Sequence, residues 1–428
     1  MSGGSTTRSG SLARGRIPMT HLASIWICWM SLSSILCGHA PMVAIGAYGQ
    51  DTVEVETIDG SIRCEIPVIG AESSEITILG TIFPIRDILS IRFHTDAREA
   101  QPRDRIILRN QSQWTGKILL DPQRPADTVQ WITPSLQSPL TISLDDLVLF
   151  ATSIAPVVPF PQPDPDSDQL LTREGALLSG ILEDLNQRGV RFDDPSFGSL
   201  EIPWSKVVAF RLVEVPVENP SPLEGTIPIR IRTVDQSHIR AHLVQIDQEA
   251  ATFSRSTGQQ CQISLDRIID IQFELGRVVA LAEREPIVVN EGAPATTWFP
   301  WTWKKDRNVL GNPLQIGGVV YERGLGVHSI SRLTYSIEEG DQFLTGIAGM
   351  DISSRPPDEQ DGIGCAEFRI LVDGDERWSA GVLSWKSAAS PFRIALKDAK
   401  SFTLVVDLGP GHHILDRANW AQIRIIRK

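Results

Sequence analysis

Four stretches of the chain share one pattern of polar and apolar positions. In each, a short polar turn precedes a strand in which apolar side chains alternate with polar ones, which is the period of a half-buried β-strand. The stretches are residues 84–93, 142–150, 202–210 and 263–273. Upstream of each one, polar turns separate pairs of similar short strands. A unit that recurs in this way predicts an array of four small antiparallel β-barrel-like repeats.

A segment rich in proline and aspartate divides the predicted repeats into two pairs. It spans residues 156–168, and its composition is typical of an extended linker. We therefore assign residues 50–155 to repeats 1 and 2, and residues 169–280 to repeats 3 and 4. The units resemble Sm-like or SH3-like barrels in pattern only. A single large irregular β-domain is the alternative interpretation.

The last third of the chain differs from the repeats in its aromatic content and its turns. Trp298, Phe299, Trp301 and Trp303 lie close together in the sequence, and glycine-rich turns separate alternating strands from residue 286 to 428. About eight strands in one domain favour a β-sandwich or jelly roll. The chain is therefore predicted to be all-β, with the repeat array followed by this sandwich.

The N-terminus has the order of a secretory signal peptide. Arg8, Arg14 and Arg16 form a basic stretch, an apolar run follows over residues 22–37, and small residues precede Gln50. We predict that residues 1–49 direct export to the periplasm, the cell surface or the medium. The alternative is an uncleaved anchor, for which the apolar run is slightly short. The membrane would then be contacted only through this segment.

Charge and cysteine content narrow the classes of partner. The chain has 40 Lys and Arg against 52 Asp and Glu, a formal net charge of -12. Because counterion release from a phosphate backbone favours basic proteins, nucleic acid is not expected as a partner. Beyond the signal segment the cysteines are Cys64, Cys261 and Cys365. Their wide spacing fits neither a disulfide framework nor a metal site.

Several ordered motifs in the last third resemble the NPCBM/NEW2 family, a module first noted at the end of certain glycoside hydrolases. They are IGGxxYxxGLGVHS at residues 316–329, GxD at 349–351, VDG at 372–374 and DxAxW at 416–420. The resemblance implies a galactose-binding-like jelly roll that binds glycans without catalysis. The arrangement is also similar to exported proteins of planctomycete-type bacteria that carry this module.

The predicted sandwich carries side chains suited to sugar recognition, which needs an aromatic face for the ring and fixed polar groups for its hydroxyls. The candidates are Trp301, Trp303, Trp385 and Trp420 for the face, and His328, Asp351, Asp416 and Asn419 for the polar groups. Each has a structural alternative. A Trp in a sandwich is usually a core residue, His328 would tie its turn, and Asp416 would bind backbone amides of its own loop.

An acidic loop that follows Pro356 and Pro357 is a candidate for a structural calcium ion. Asp358, Glu359 and Asp361 supply the hard oxygen ligands that Ca²⁺ prefers. The alternative is a solvated acidic loop without a metal. No other cofactor is expected.

Three classes of function are compatible with these patterns. The favoured one is an exported, non-catalytic protein that binds glycans or polysaccharides, with the repeats as a spacer or partner-binding scaffold. The second is a structural or adaptor protein of the cell envelope, whose repeats bind envelope proteins through exposed strand edges. The third is a glycan hydrolase with its active site in the repeats. No H-E-x-x-H, G-x-S-x-G or phosphate-loop motif supports an enzyme, so none is predicted.

Overall fold

The structure is a computed structural model that describes residues 52–70, 73–93, 103–120, 125, 127–153, 164–213, 226–292, 301–410 and 413–428. In these ranges the chain forms 33 β-strands and six 3-10 turns and no α-helix, so the all-β prediction is confirmed. None of the described segments forms a helix long and apolar enough to cross a membrane. The predicted signal peptide, and residues 156–163 of the predicted linker, lie outside the described residues.

The four repeats are built alike from five antiparallel strands, of which the first pairs with both the second and the fifth. Repeat 1 contains β1 (Thr52–Thr57), β2 (Ser61–Glu65), β3 (Glu75–Ile78), β4 (Thr81–Pro84) and β5 (Ile88–Phe93), and repeat 2 contains β6 (Asp104–Leu108), β7 (Gln113–Leu119), β8 (Thr128–Ile132), β9 (Leu140–Ser143) and β10 (Leu147–Ala151). Repeat 3 contains β11 (Asp168–Thr172), β12 (Leu177–Leu185), β13 (Gly189–Asp194), β14 (Gly198–Pro203) and β15 (Val207–Arg211), and repeat 4 contains β16 (Ile227–Thr233), β17 (His238–Ile246), β18 (Ala250–Ser254), β19 (Gln260–Ser264) and β20 (Ile268–Phe273).

The repeats form because period-two sequences bury one face of each strand. In β16, Ile227, Ile229 and Ile231 are buried while the residues between them are half-buried. A 3-10 turn before each fifth strand returns that strand to the first one. These turns are Ile85–Asp87, Leu144–Asp146, Trp204–Lys206 and Leu265–Arg267. The four repeated stretches seen in the sequence are these turns with the fifth strands, so the predicted array is confirmed.

The fifth strands also join the repeats to one another, in an order that differs from the order along the chain. β5 pairs with β20 and links repeats 1 and 4, and β10 pairs with β15 and links repeats 2 and 3. One hydrophobic cluster continues through all four repeats. The fifth-strand pairs therefore join repeats across the segment at residues 156–168 that divides the array.

The rest of the chain forms a two-sheet sandwich. One sheet has the order β23-β26-β33-β28-β31 with β21 beside β33, the other has the order β22-β27-β32-β29-β30, and β24 and β25 form a separate hairpin. The strands are β21 (Val278–Ala280), β22 (Val288–Glu291), β23 (Lys304–Lys305), β24 (Leu314–Ile316), β25 (Val319–Tyr321), β26 (Gly324–His328), β27 (Ser331–Ser336), β28 (Asp341–Met350), β29 (Cys365–Val372), β30 (Asp375–Ser384), β31 (Ser390–Ala395), β32 (Ser401–Leu408) and β33 (Arg417–Arg427). Two further 3-10 turns, Leu281–Glu283 and Ile352–Ser354, lie in its connections.

The sandwich begins earlier than the predicted boundary at residue 286. β21 pairs with β33, and Leu281, which is fully buried, belongs to the same hydrophobic cluster as the two sheets. Arg284 forms an ion pair with Asp341, with 2.6 Å between Nη1 and Oδ2. The segment that connects repeat 4 to the sandwich is therefore part of the sandwich core.

Candidate functional site

The loops at one end of the sandwich meet around residues 414–417. Backbone N–H groups of Ser329, Asp351 and Gly364 donate to carbonyl oxygens of this segment over 2.8–3.2 Å. The N–H of Trp385 donates in turn to the carbonyl of Gly364 over 3.1 Å. We call this region the loop end, made of residues 328–330, 351–364, 385–387 and 413–417 with Trp301 against it. It collects most of the predicted site residues.

Asp351 lies beneath the loop end as the centre of a buried hydrogen-bond network. Its Oδ1 accepts from the N–H of Ser353 (3.0 Å) and from Nδ2 of Asn308 (3.1 Å), and its Oδ2 accepts from Nδ2 of Asn419 (2.7 Å). Asp351 and Asn419 are both 0% exposed. Their burial contradicts the prediction that they contact a ligand, because their bonds are used to hold the loops on β33.

Asp416 is a second buried carboxyl group at the loop end. Its Oδ2 accepts from Oγ of Ser329 over 2.7 Å, and its Oδ1 accepts from the N–H of Cys365 over 3.2 Å. Burial raises the pKa of Asp416 to about 7, and the two hydrogen bonds offset that effect only in part. Contact with a sugar hydroxyl is contradicted by this burial. The amide it binds comes from β29 and not from its own loop.

Trp301 and His328 form a stack at the edge of the loop end. Their ring centroids are 5.3 Å apart with an angle of 9° between the planes. Trp301 is 42% exposed, whereas His328 is buried. His328 Nδ1 lies 2.7 Å from the carbonyl of Ser329, which accepts its proton. Burial lowers the pKa of His328, so the imidazole is neutral near pH 7. It packs against the buried face of the Trp301 indole.

Trp385 lies at the loop end between two cationic side chains. Cζ of Arg355 is 5.3 Å from the ring centroid and Nζ of Lys386 is 5.0 Å from it. The indole is half-buried. Cations over an aromatic face are attracted to its negative quadrupole. The two cations therefore place hydrogen-bond donors directly against this indole.

The other two candidate tryptophans pack inside the sandwich. Trp420 is 1% exposed and meets Phe368 and Phe392 edge to face, at 5.3 and 5.7 Å between centroids. The prediction that it offers a sugar-binding face is therefore wrong, and its alternative role in the core is correct. Trp303 is half-buried against the same cluster, and its backbone N–H donates to Glu291 Oε1 over 2.6 Å.

The glycine run in the first motif has a packing role. A Cβ at Gly326 would lie 2.3 Å from the carbonyl oxygen of Arg307 and 2.4 Å from Cα of Asn308. Glycine therefore lets β26 pass directly against the turn that carries Asn308. That turn in turn holds Asp351, so the motif builds the framework under the loop end.

The acidic loop proposed for calcium contains ion pairs. Glu359 is paired with Arg355, and Asp361 Oδ1 lies 2.9 Å from Lys386 Nζ. Asp358, Glu359 and Asp361 are exposed. Among the residues that the structure describes, no three His, Cys, Asp or Glu side chains converge as metal ligands. These ion pairs orient Arg355 and Lys386 over the ring of Trp385.

Sequence reasoning missed Arg355 and Ser329 as members of this site. Arg355 contacts Trp385 across thirty positions of sequence, and Ser329 contacts Asp416 across 87. Contacts between residues so far apart leave no periodic pattern in the sequence. The one sequence clue to Arg355 is its place directly before Pro356, in the loop that carries the calcium candidates.

Comparisons with known proteins concern the sandwich. Residues 288–426 match the model of the NPCBM/NEW2 domain family, which confirms the resemblance seen in the sequence. A provisionally named endo-alpha-N-acetylgalactosaminidase of Renibacterium salmoninarum is 29% identical over 141 residues, 32% of this chain and 9% of that protein. Alpha-1,3-galactosidase B of Akkermansia muciniphila is 30% identical over 122 residues, 28% of this chain and 14% of that protein.

The chain thus spans only about a tenth of the length of these curated relatives. Among solved structures, a CBM51 module from Clostridium perfringens GH95 in complex with methyl-galactose covers 35% of this chain and 99% of its own. It is 19% identical in sequence, with a TM-score of 0.31.

Proposed function

We propose, from the membership of residues 288–426 in the NPCBM/NEW2 family, that the sandwich binds a carbohydrate at the loop end without cleaving it. The observation that carries the proposal is the exposed stack of Trp301 on His328 at the same end as Trp385. Stacking on an aromatic ring covers the apolar face of a sugar, and flanking donors read its hydroxyls. The candidate contact residues are Trp301, Trp385, Arg355 and Lys386.

The pairing of the donors with carboxylates supports an uncharged sugar. Arg355 and Lys386 are each paired with a carboxylate of the acidic loop. Such pairs offer donors and acceptors together, which suits hydroxyl groups better than an anion. The curated relatives are named for enzymes acting on galactose or N-acetylgalactosamine linkages, so these two sugars are the first ligands to test.

The proposal that binding is non-catalytic rests on the carboxylates of the loop end. Glycoside hydrolysis uses two carboxyl groups facing each other across the scissile bond. Asp351 and Asp416 are both 0% exposed and committed to internal hydrogen bonds. Glu359 and Asp361 are held by cations. Incubation of the bound glycan with the protein is expected to release no reducing sugar.

The repeats and the N-terminal segment complete the proposal. We place the protein outside the cytoplasm because of the basic and apolar order of residues 1–49. The repeats then act as a rigid scaffold for the sandwich, since they share one hydrophobic cluster. Envelope proteins are the partners that such a scaffold would meet.

The test is glycan-array binding by the protein and by three variants. Trp301→Ala and Trp385→Ala are each expected to weaken binding roughly tenfold or more, the loss of one stacking contact of about 1–2 kcal/mol. Phe197→Ala removes an aromatic side chain that is 72% exposed in repeat 3, and it is the matched control. Unchanged binding in both Trp variants would disprove the site, and no binding by the folded protein would favour a structural module.

A further inference from the structure

A cleft lies between repeat 4 and the sandwich, away from the loop end. Two cavities of about 390 and 570 Å³ share Arg230, Arg240, Tyr321 and Glu322 in their walls, together with Val320. They are therefore parts of one space, which we call the interface cleft. Its larger part has the volume of a typical small-molecule site.

The wall supplied by repeat 4 is unusually basic. In the register of β16 and β17, Arg230 lies directly opposite Arg240, and Arg232 lies opposite His238. All four side chains line the cleft. Like charges directly across a strand pair, as in Arg230 and Arg240, destabilise a sheet. This face therefore carries an electrostatic cost that an anionic ligand would relieve.

The carboxylates around this face only partly balance it. Arg232 pairs with Asp270, whereas Arg230 and Arg240 share Glu274, at 2.6 and 3.8 Å. His238 lies 3.0 Å from Glu322 of the sandwich. The guanidinium groups of Arg230 and Arg240 therefore have one carboxylate, that of Glu274, as their shared ion-pair partner.

Two further arginines enter the larger part of the cleft from other elements. Arg105 comes from β6 of repeat 2 and Arg307 from the turn before β24. Both are exposed, and neither has an ion-pair partner in the part of the chain that the structure describes. Gln111 and Gln113 add amide donors to the same wall. Guanidinium groups are well suited to bind carboxylate or sulfate oxygens in pairs.

The opposite wall includes an apolar strip on the β24–β25 hairpin, bordered by Glu322 and Asp306. Val320 is 60% exposed there, and Tyr321 is half-buried beside it. An aromatic and aliphatic wall facing a guanidinium wall suits a ligand with one apolar face and one oxyanion. A sugar ring bearing a carboxylate or a sulfate has both.

We propose that the interface cleft binds an acidic saccharide, whose carboxylate or sulfate is held by Arg105, Arg307 and Arg240 while its ring lies against Tyr321. This second site is separate from the loop end. It forms a local basic surface on a protein whose formal net charge is -12. It would let the protein hold an acidic polysaccharide between its repeats and its sandwich. Uronate and sulfate ester are the two sources of the same oxyanion chemistry.

The experiment is calorimetric titration of the full protein with three oligosaccharides of equal length. All three are built from the glucose series, which lacks the galactose units proposed for the loop end: one is an oligoglucuronate, one is a sulfated dextran fragment and one is a neutral dextran. We expect one of the acidic probes to bind, with affinity that falls as salt rises. Arg105→Gln and Arg307→Gln are each expected to weaken that binding roughly tenfold, the usual effect of one charged hydrogen-bond donor.

Two controls separate this site from the loop end and from misfolding. Arg377→Gln removes an exposed arginine of β30, and Trp385→Ala removes the loop-end indole. Both are expected to retain full affinity for the acidic probe. The proposal is overturned if neither acidic probe binds the wild type at millimolar concentration, if the neutral dextran competes equally, or if the Arg105 and Arg307 variants bind like Arg377→Gln.

Discussion

Asp416 shows how a buried residue can make the sandwich sensitive to pH. Because burial raises its pKa to about 7, the folded chain holds a proton that the unfolded chain releases near pH 4. Stability therefore falls as pH rises from about 4 to about 7. This dependence belongs to the loop framework that Asp416 forms with Ser329 and Cys365.

Replacing Asp416 with asparagine removes the ionisable group while keeping its shape. We expect the melting temperature of Asp416→Asn to fall less between pH 5 and pH 8 than that of the wild type. Asp375→Asn, at an exposed position of β30, is the control and should follow the wild type. Parallel pH profiles for Asp416→Asn and the wild type would contradict the raised pKa.

Asp235 has the opposite behaviour in the repeats. It is 3% exposed in the turn between β16 and β17. Its Oδ2 accepts from Thr133 Oγ1 (2.8 Å) and Ser135 Oγ (2.7 Å) of repeat 2. Burial opposes its ionisation, but these bonds, with those from Thr233 and Ser237, lower its pKa. The stabilisation is thus present above about pH 4 and lost as pH falls further.

Removing this carboxylate should weaken the contact between repeats 2 and 4. We expect Asp235→Ala to lower the free energy of unfolding by about 2–3 kcal/mol, because several buried donors lose a charged acceptor. Urea denaturation followed by fluorescence measures the change. Asp266→Ala, an exposed aspartate of repeat 4, should change it by less than about 0.5 kcal/mol. Equal effects of the two variants would refute the role of Asp235.

At the scale of elements, β21 belongs to the sandwich although it follows directly on repeat 4. It pairs with the last strand, and Leu281 after it is fully buried. Burying one leucine side chain contributes about 1.5–3 kcal/mol. The ion pair of Arg284 with Asp341 is made by the same segment.

A fragment that starts at residue 277 should therefore be more stable than one that starts at 286. We expect a higher melting temperature by calorimetry for residues 277–428 than for residues 286–428. Leu281→Ala in the longer fragment should remove part of the difference. Identical melting temperatures for the two fragments would show that this segment adds nothing to the core.

The elements were the most predictable part of the molecule. A short turn followed by closely spaced apolar residues marks the fifth strand of every repeat, as in β5 and β20. These strands are buried at consecutive positions because they also pair with another repeat, and that pairing leaves no local pattern. The extent of the sandwich was less visible. β21 has only three residues, and a segment that short carries no period from which its partner can be inferred.

The functional site was only partly predictable for a related reason. The aromatic residues Trp301 and Trp385 could be named from the sequence, but the burial of Trp420, Asp351 and Asn419 could not. Burial at the loop end depends on which loops meet around residues 414–417, and those loops are far apart in sequence. Arg355 became visible only once its loop lay beside Trp385.

At the scale of the whole molecule, the fifth strands join the repeats in an order that differs from their order in the sequence. Repeat 1 joins repeat 4 and repeat 2 joins repeat 3, and Arg424 of the sandwich contacts Glu56 of repeat 1 at 2.6 Å. The sandwich is therefore held against the repeats by specific ion pairs. That placement creates the interface cleft, which neither part contains alone and which no local pattern could reveal.

The most direct test of glycan binding at the loop end is NMR of the protein with ¹⁵N-labelled tryptophan, titrated with the best glycan from the array. Indole signals are assigned by single Trp→Phe substitutions. We predict that the signals of Trp301 and Trp385 shift with saturation, while those of the buried Trp114, Trp131 and Trp420 do not move. Saturable binding that leaves Trp301 and Trp385 unchanged would contradict the site.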